Sequence, residues 1–131
     1  MGELMNCQTY SSTLNGMRNY WRVDDLWELA KNIPVEYVPI KHLTEQLNGT
    51  CWTEGEKDEV TPQWVLGHTR RILKADLKYP ILVDEKNIIL DGIHRLCKAV
   101  IEGRDDIAVQ RIVMMPEPFY TNGEDEVPLF I

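Results

Sequence analysis

Three β-rich runs with one helix-sized gap among them constrain this chain more than anything else in it. "YPILV" (79–83), "NIIL" (87–90) and "IAVQRIVM" (107–114) are dense in the β-branched residues that suit a half-buried pleated surface. Asp84-Glu85-Lys86-Asn87 is a turn-like tetrapeptide between the first two, so those runs form a hairpin. The stretch from about Ile93 to Gly103 separates the second run from the third. It has the length of a short helix, with Gly103 as its C′ residue.

Upstream, "VDDLWELAKNIP" (23–34) reads as an amphipathic helix. Asp24 or Asp25 caps it, Leu26, Leu29 and Ala30 share a face, and Pro34 ends it. "VEYVPI" (35–40) alternates as a strand, with Pro39 marking an edge position or the strand's end. Thr61-Pro62 opens a further helix, Thr as N-cap and Pro at the first helical position. Val65, Ile72, Leu73 and Ala75 recur there near helical spacing, and Gly67 lies inside it. The order helix, strand, loop, helix, hairpin, helix, strand gives a small α+β domain, a mixed sheet with helices packed on it. Residues 1–20 are polar and read as a flexible arm, 21–118 as the domain, and 119–131 as an acidic tail with an apolar end. Residues 44–60 read as a long acidic loop, either a solvated charge run or a cover for a site.

The 131 residues suit one domain, and 44 % hydrophobic content is enough for a core, which excludes wholesale disorder. A net charge of −7 repels phosphodiester backbones at long range and argues against tight duplex DNA binding. Cys7, Cys51 and Cys97 are odd in number and lack zinc-type spacing, so reduced thiols are expected. No apolar run is long enough to span a membrane and no secretory leader is recognisable, so a cytoplasmic protein is expected.

Chemistry concentrates in "ILDGIHRLCKAV" (89–100). A strand ends in Asp91-Gly92 and a helix begins with His94 and Arg95, although helix starts ordinarily favour acids. Gly92 removes Cβ bulk, so backbone amides at the helix start can approach a ligand. Arg95 offers a planar fork, His94 a donor or base, and Lys98 follows one turn later, which together make a phosphate cradle. The plainer alternative has Asp91 capping the helix and pairing with Arg95 while His94 is solvated. His68 and Arg71 form an i, i+3 pair that either faces the same phosphates or decorates the surface. His42 reads as structural. Trp52 either stacks on a base or fills the core.

The run from Tyr79 to Ile112, with Gly92-Ile93-His94-Arg95 at its turn, resembles the ParB/sulfiredoxin superfamily. Members share a hairpin, a Gly-x-x-Arg-type turn into a helix and a following strand; the turn reads Gly-Glu-Arg-Arg in partition proteins and Gly-Cys-His-Arg in sulfiredoxins. "VPIKHL" (38–43) resembles the first strand and the residues from Thr61 onward the preceding helix, so the resemblance covers roughly 33–115. It implies nucleotide binding, with ATP or ADP ahead of CTP, and phosphates held by Gly92, Ile93, His94, Arg95, Lys98, His68 and Arg71. Ile93 stands where sulfiredoxins carry their catalytic cysteine, and Cys97 is one turn too far to replace it, so sulfiredoxin activity is not expected. Too few residues follow 118 for the helix-turn-helix of a partition protein.

What remains by resemblance is a kinase-like branch: phosphoryl transfer to a small hydroxylated acceptor, or to a protein acceptor. Asp91, His94 and Glu45 would be the catalytic groups, with Asp91 also holding a Mg²⁺ ion brought by the nucleotide. The rivals are a nucleotide-sensing or protein-interaction module without turnover, and a nuclease or DNA-modification protein.

Overall fold

The computed structural model describes residues 8–49 and 59–123. Cys7, Cys51, Trp52, most of the acidic loop and the end of the tail lie outside the described residues. The chain is α+β, as expected: the described residues form three helices and two sheets. In order these are β1 (Thr9–Leu14), β2 (Met17–Arg22), α1 (Val23–Ala30), β3 (Glu36–Pro39), two 3₁₀ turns (Ile40–His42 and Thr44–Asn48), α2 (Pro62–Lys74), β4 (Ile81–Asp84), β5 (Ile89–Asp91), α3 (Ile93–Ile101), β6 (Asp106–Ile112) and β7 (Tyr120–Gly123).

The four-stranded sheet has the order β3-β6-β4-β5. β4 pairs antiparallel with β5 as the expected hairpin and parallel with β6, with α3 in the crossover between them. Its pleat sorts the apolar residues by period two. Ile81, Val83, Ile89, Ile107 and Val109 join Leu96 and Ala99 of α3 on one face. Leu82, Leu90 and Ile112 join Trp21, Leu26 and Ala30 on the other. The sheet is therefore buried on both faces. That accounts for its nearly continuous apolar strands, which leave no polar side to read.

The three-stranded sheet, order β1-β2-β7, corrects the sequence reading at both ends of the chain. Residues 9–22 are no loose arm: they form a hairpin whose two-residue turn, Asn15-Gly16, has φ of 55° and 77°. Two positive φ values define the turn type whose twist matches the flanking strands, and Asn-Gly is its preferred sequence. Nor does the tail begin at 119, because β7 pairs along β2.

Two helix details also differ from expectation. Neither Asp24 nor Asp25 caps α1; Arg22 holds the cap position without a side-chain cap, and Asp25 pairs with it at 2.9 Å. Both acids still sit in the first turn, where the helix dipole favours them. Leu29 is exposed rather than part of the buried face. By contrast α2 starts as read, with the Thr61 hydroxyl accepting from the Trp64 amide at 3.1 Å. No residue of α2 is buried; it lies against α3 as an outer layer. Gly103, at φ 71°, follows α3 as its C′ residue. Among the described residues no helix is long and apolar enough to cross a membrane.

Candidate functional site

Asp91 ends β5, Gly92 turns the chain at φ 118°, and α3 begins at Ile93. The glycine is required, but for a reason the sequence did not disclose. A Cβ at residue 92 would lie 2.5 Å from Ile81 Cγ2 and 2.6 Å from Ile81 Cβ, so core packing rather than a ligand excludes a side chain. The first bond within α3 runs from the Leu96 amide to the Gly92 carbonyl. The amides of residues 93–95 thus have no acceptor inside the helix, and Gly92, at the cap position, brings no side chain to cap it.

Gly92, Ile93 and His94 bring the start of α3 to an open cleft of about 810 Å³. His68, Arg71, Asp91, Gly92, Ile93 and His94 line it, so six of the expected site residues converge. Opposite them stand Gln8, Thr9, Tyr10 and Ser11 of the hairpin that the sequence reading missed, together with Gln46. The available signal for that wall was Asn15-Gly16 itself.

His68 Nδ1 and His94 Nε2 are 2.8 Å apart, with the rings nearly parallel at 15° and their centres 5.1 Å apart. The Trp64 ring packs against His68 at 4.3 Å. Burial holds both imidazoles below their ordinary titration range, and the Arg71 guanidinium adds to this. For His94 the neighbouring His68 acts in the same direction and Asp91 opposes it. Tyr10 is shifted upward by burial and by Asp84, which keeps it a protonated donor.

Asp91 is not the cap of α3 and does not pair with Arg95. Its Oδ2 accepts from Trp27 Nε1 at 2.8 Å and its Oδ1 from Gln8 Nε2 at 3.2 Å. Two elements distant in sequence, α1 and the residue before β1, therefore fix the carboxylate in the cleft wall. Trp27 was not foreseen, because only the fold brings it to Asp91.

Three expected residues are placed elsewhere. Arg95 Nη1 donates to the Pro80 carbonyl at 3.1 Å and its guanidinium lies 6.0 Å from the Tyr79 ring. Lys98 Nζ donates to the carbonyls of Ala75 at 2.6 Å and Leu73 at 3.1 Å, closing the C-terminal end of α2. Glu45 is exposed in the second 3₁₀ turn and does not line the cleft. Its neighbour Gln46 does, spanning the hairpin turn with bonds to the Asn87 carbonyl at 2.7 Å and the Ile89 amide at 2.8 Å. His42 is exposed and Cys97 half-buried.

The cleft joins helix amides, one guanidinium and two imidazoles at one end to a fixed carboxylate and a hydroxyl-bearing wall. That set can hold an anion and orient a hydroxyl. No group of three or more potential metal ligands occurs among the described residues. Comparison with known proteins gave no match: no family model, no curated protein and no solved structure resembles the chain significantly.

Proposed function

We propose that this chain is a cytoplasmic nucleotide-binding protein of the ParB/sulfiredoxin type that transfers a phosphoryl group to a small hydroxylated acceptor. In this reading the phosphates of ATP or ADP lie over the first turn of α3, held by amides 93–95, His94 and Arg71. A Mg²⁺ ion would come with the phosphates. The acceptor hydroxyl sits beside Asp91. Its oxygen bonds to the terminal phosphorus, the bond from that phosphorus to the leaving nucleotide oxygen breaks, and the hydroxyl proton passes to Asp91.

One observation carries the reading: the start of α3, with a glycine at its cap position, opens on a cleft that also holds Arg71 and His94. An uncapped helix start carries partial positive charge, and a guanidinium beside it makes an anion site. Of the two arginines expected to hold phosphate, Arg71 does so in this reading, because the Pro80 carbonyl already engages Arg95.

Thermal unfolding with ATP, ADP, CTP and GTP, each with and without Mg²⁺, tests binding. A nucleotide at 100 times its Kd stabilises the fold by about 2.7 kcal/mol. Arg71→Ala should abolish that shift, whereas Arg95→Ala should lower the unstimulated Tm and keep it. No stabilisation by any nucleotide refutes the reading.

One observation favours a second reading, a nucleotide sensor without turnover. Both Asp91 oxygens already accept hydrogen bonds, as a structural carboxylate's would. Transfer from ATP or ADP that Asp91→Asn abolishes, with nucleotide affinity kept, decides for the enzyme; binding without transfer decides for the sensor.

A further inference from the structure

The His68–His94 contact limits how much charge the cleft can gain. An Nδ1 to Nε2 separation of 2.8 Å is a hydrogen bond, so one nitrogen presents N–H and the other a lone pair. The two rings then carry two protons when both are neutral. They carry three when one is an imidazolium donating to its neutral partner. A fourth would set N–H against N–H, and two cations would face each other in near-parallel rings 5.1 Å apart. The pair therefore accepts one extra proton with its geometry intact and rejects a second.

Among the described residues, the charged groups that act on the pair come from α2 and β5. Arg71, on the same helix as His68, acts on both rings, and Asp91 at the end of β5 acts on His94. Tyr10, on β1, stays a neutral phenol in the same cleft. Arg95, next to His94 in α3, is bonded to the Pro80 carbonyl. With both imidazoles neutral, Arg71 and Asp91 cancel, and the described side chains lining the cleft carry no net charge. A nucleoside diphosphate brings several negative charges into that neutral site.

We propose that His68 and His94 form a one-proton store that is loaded when a phosphate-bearing anion enters the cleft, so that anion binding takes up a single proton and tightens as pH falls. This rests on the phosphate-binding reading above. The anion favours the imidazolium, the neutral partner ring accepts its proton, and the bond between α2 and α3 stays closed. Without the anion, burial and Arg71 keep the pair neutral.

Calorimetric titration of the full chain with ADP, and separately with inorganic pyrophosphate, tests this in buffers of different ionisation heat around pH 7.5. The expected result is a binding heat that varies with the buffer, giving an uptake of up to one proton. Affinity should rise by as much as about tenfold per pH unit on acidification, the limit for one linked proton. Imidazole ¹⁵N spectra provide a second readout. On ADP addition the signals of His68 and His94 should shift together toward values midway between neutral and charged, while those of exposed His42 stay put. Binding with buffer-independent heat and unmoved imidazole signals overturns the proton store and leaves the phosphate reading standing. Uptake clearly above one proton overturns the single-proton limit. If neither anion binds, the phosphate reading and the store fall together.

Discussion

Replacing Gly92 with alanine should be among the most damaging single-methyl changes available in this fold. The added Cβ would meet Ile81 Cγ2 at 2.5 Å and Ile81 Cβ at 2.6 Å, with the Ile81 Cα at 3.2 Å behind them. Ile81 is fully buried in the central strand β4, so it cannot swing aside. Overpacking of that kind costs about 1–3 kcal/mol. Residue 92 also holds φ 118°, where an L side chain costs roughly 1–2 kcal/mol more. The sum is about 2–5 kcal/mol. At about 4 °C per kcal/mol for a domain of this size, Tm should fall by about 8–20 °C. Urea unfolding should show a lower midpoint at unchanged slope, the sign of lost stability without a changed unfolded state. Gly67→Ala is the matched control. It lies inside α2 with nothing within 4 Å of the new methyl, so it should gain about 0.5–1 kcal/mol. The two alanines thus have opposite signs. A Gly92→Ala protein melting within about 2 °C of the parent would refute the packing account of the turn.

Acidification should destabilise the protein below about pH 6.5, where unfolded imidazoles take up protons. Folding depresses His68 and His94, so the unfolded state binds more protons there and stability falls as pH falls. Urea midpoints at pH 7.5, 6.5 and 5.5 check this, and the double change His68→Gln with His94→Gln should flatten the decline. Gln46→Ala removes both bonds across the β4–β5 turn and should cost about 1–3 kcal/mol, read by urea unfolding. Lys98→Met leaves the carbonyls of Leu73 and Ala75 without their cation, so hydrogen exchange should quicken in α2 while β4 and β6 keep their protection.

Much of the central sheet and its helices was legible because the signals were local. Thr61-Pro62, the 84–87 turn and Gly103 each state their geometry within four residues. The β1–β2 hairpin was lost although Asn15-Gly16 names its turn. Its flanks "TYSSTL" and "MRNYWR" carry little apolar alternation, and their polarity suggested a loose arm. In the site, Gly92, Ile93 and His94 were legible from the strand-to-helix junction, and His68 with Arg71 from their helical spacing. Arg95 and Lys98 were misplaced because their acceptors, the carbonyls of Pro80, Leu73 and Ala75, lie 15 to 25 residues away in sequence. A charged side chain at a helix start says that an acceptor is needed. It does not say which one.

That distinction resolves the oddity of a basic pair at the start of α3. Among the described residues, the neighbours in sequence that could quench the positive end of the helix do not do so. Asp91, one residue before the cap position, is bonded to Trp27 and Gln8; Gly92, at the cap, has no side chain; no acid lies in the first turn. Arg95 avoids the dipole's penalty by reaching the Pro80 carbonyl. A conventional Ser or Asp cap would supply about 1 kcal/mol, and this fold forgoes it. It does so where the start of α3 meets a cleft holding Arg71 and two imidazoles. Chains ordinarily keep local preference and global fold in agreement, and here contact with Ile81 already requires the glycine that leaves the turn uncapped. In the proposed reading, this uncapped turn is where the phosphates would lie. There Arg71, arriving from a neighbouring helix, would serve the anion, because Arg95 in the turn itself is held by the Pro80 carbonyl.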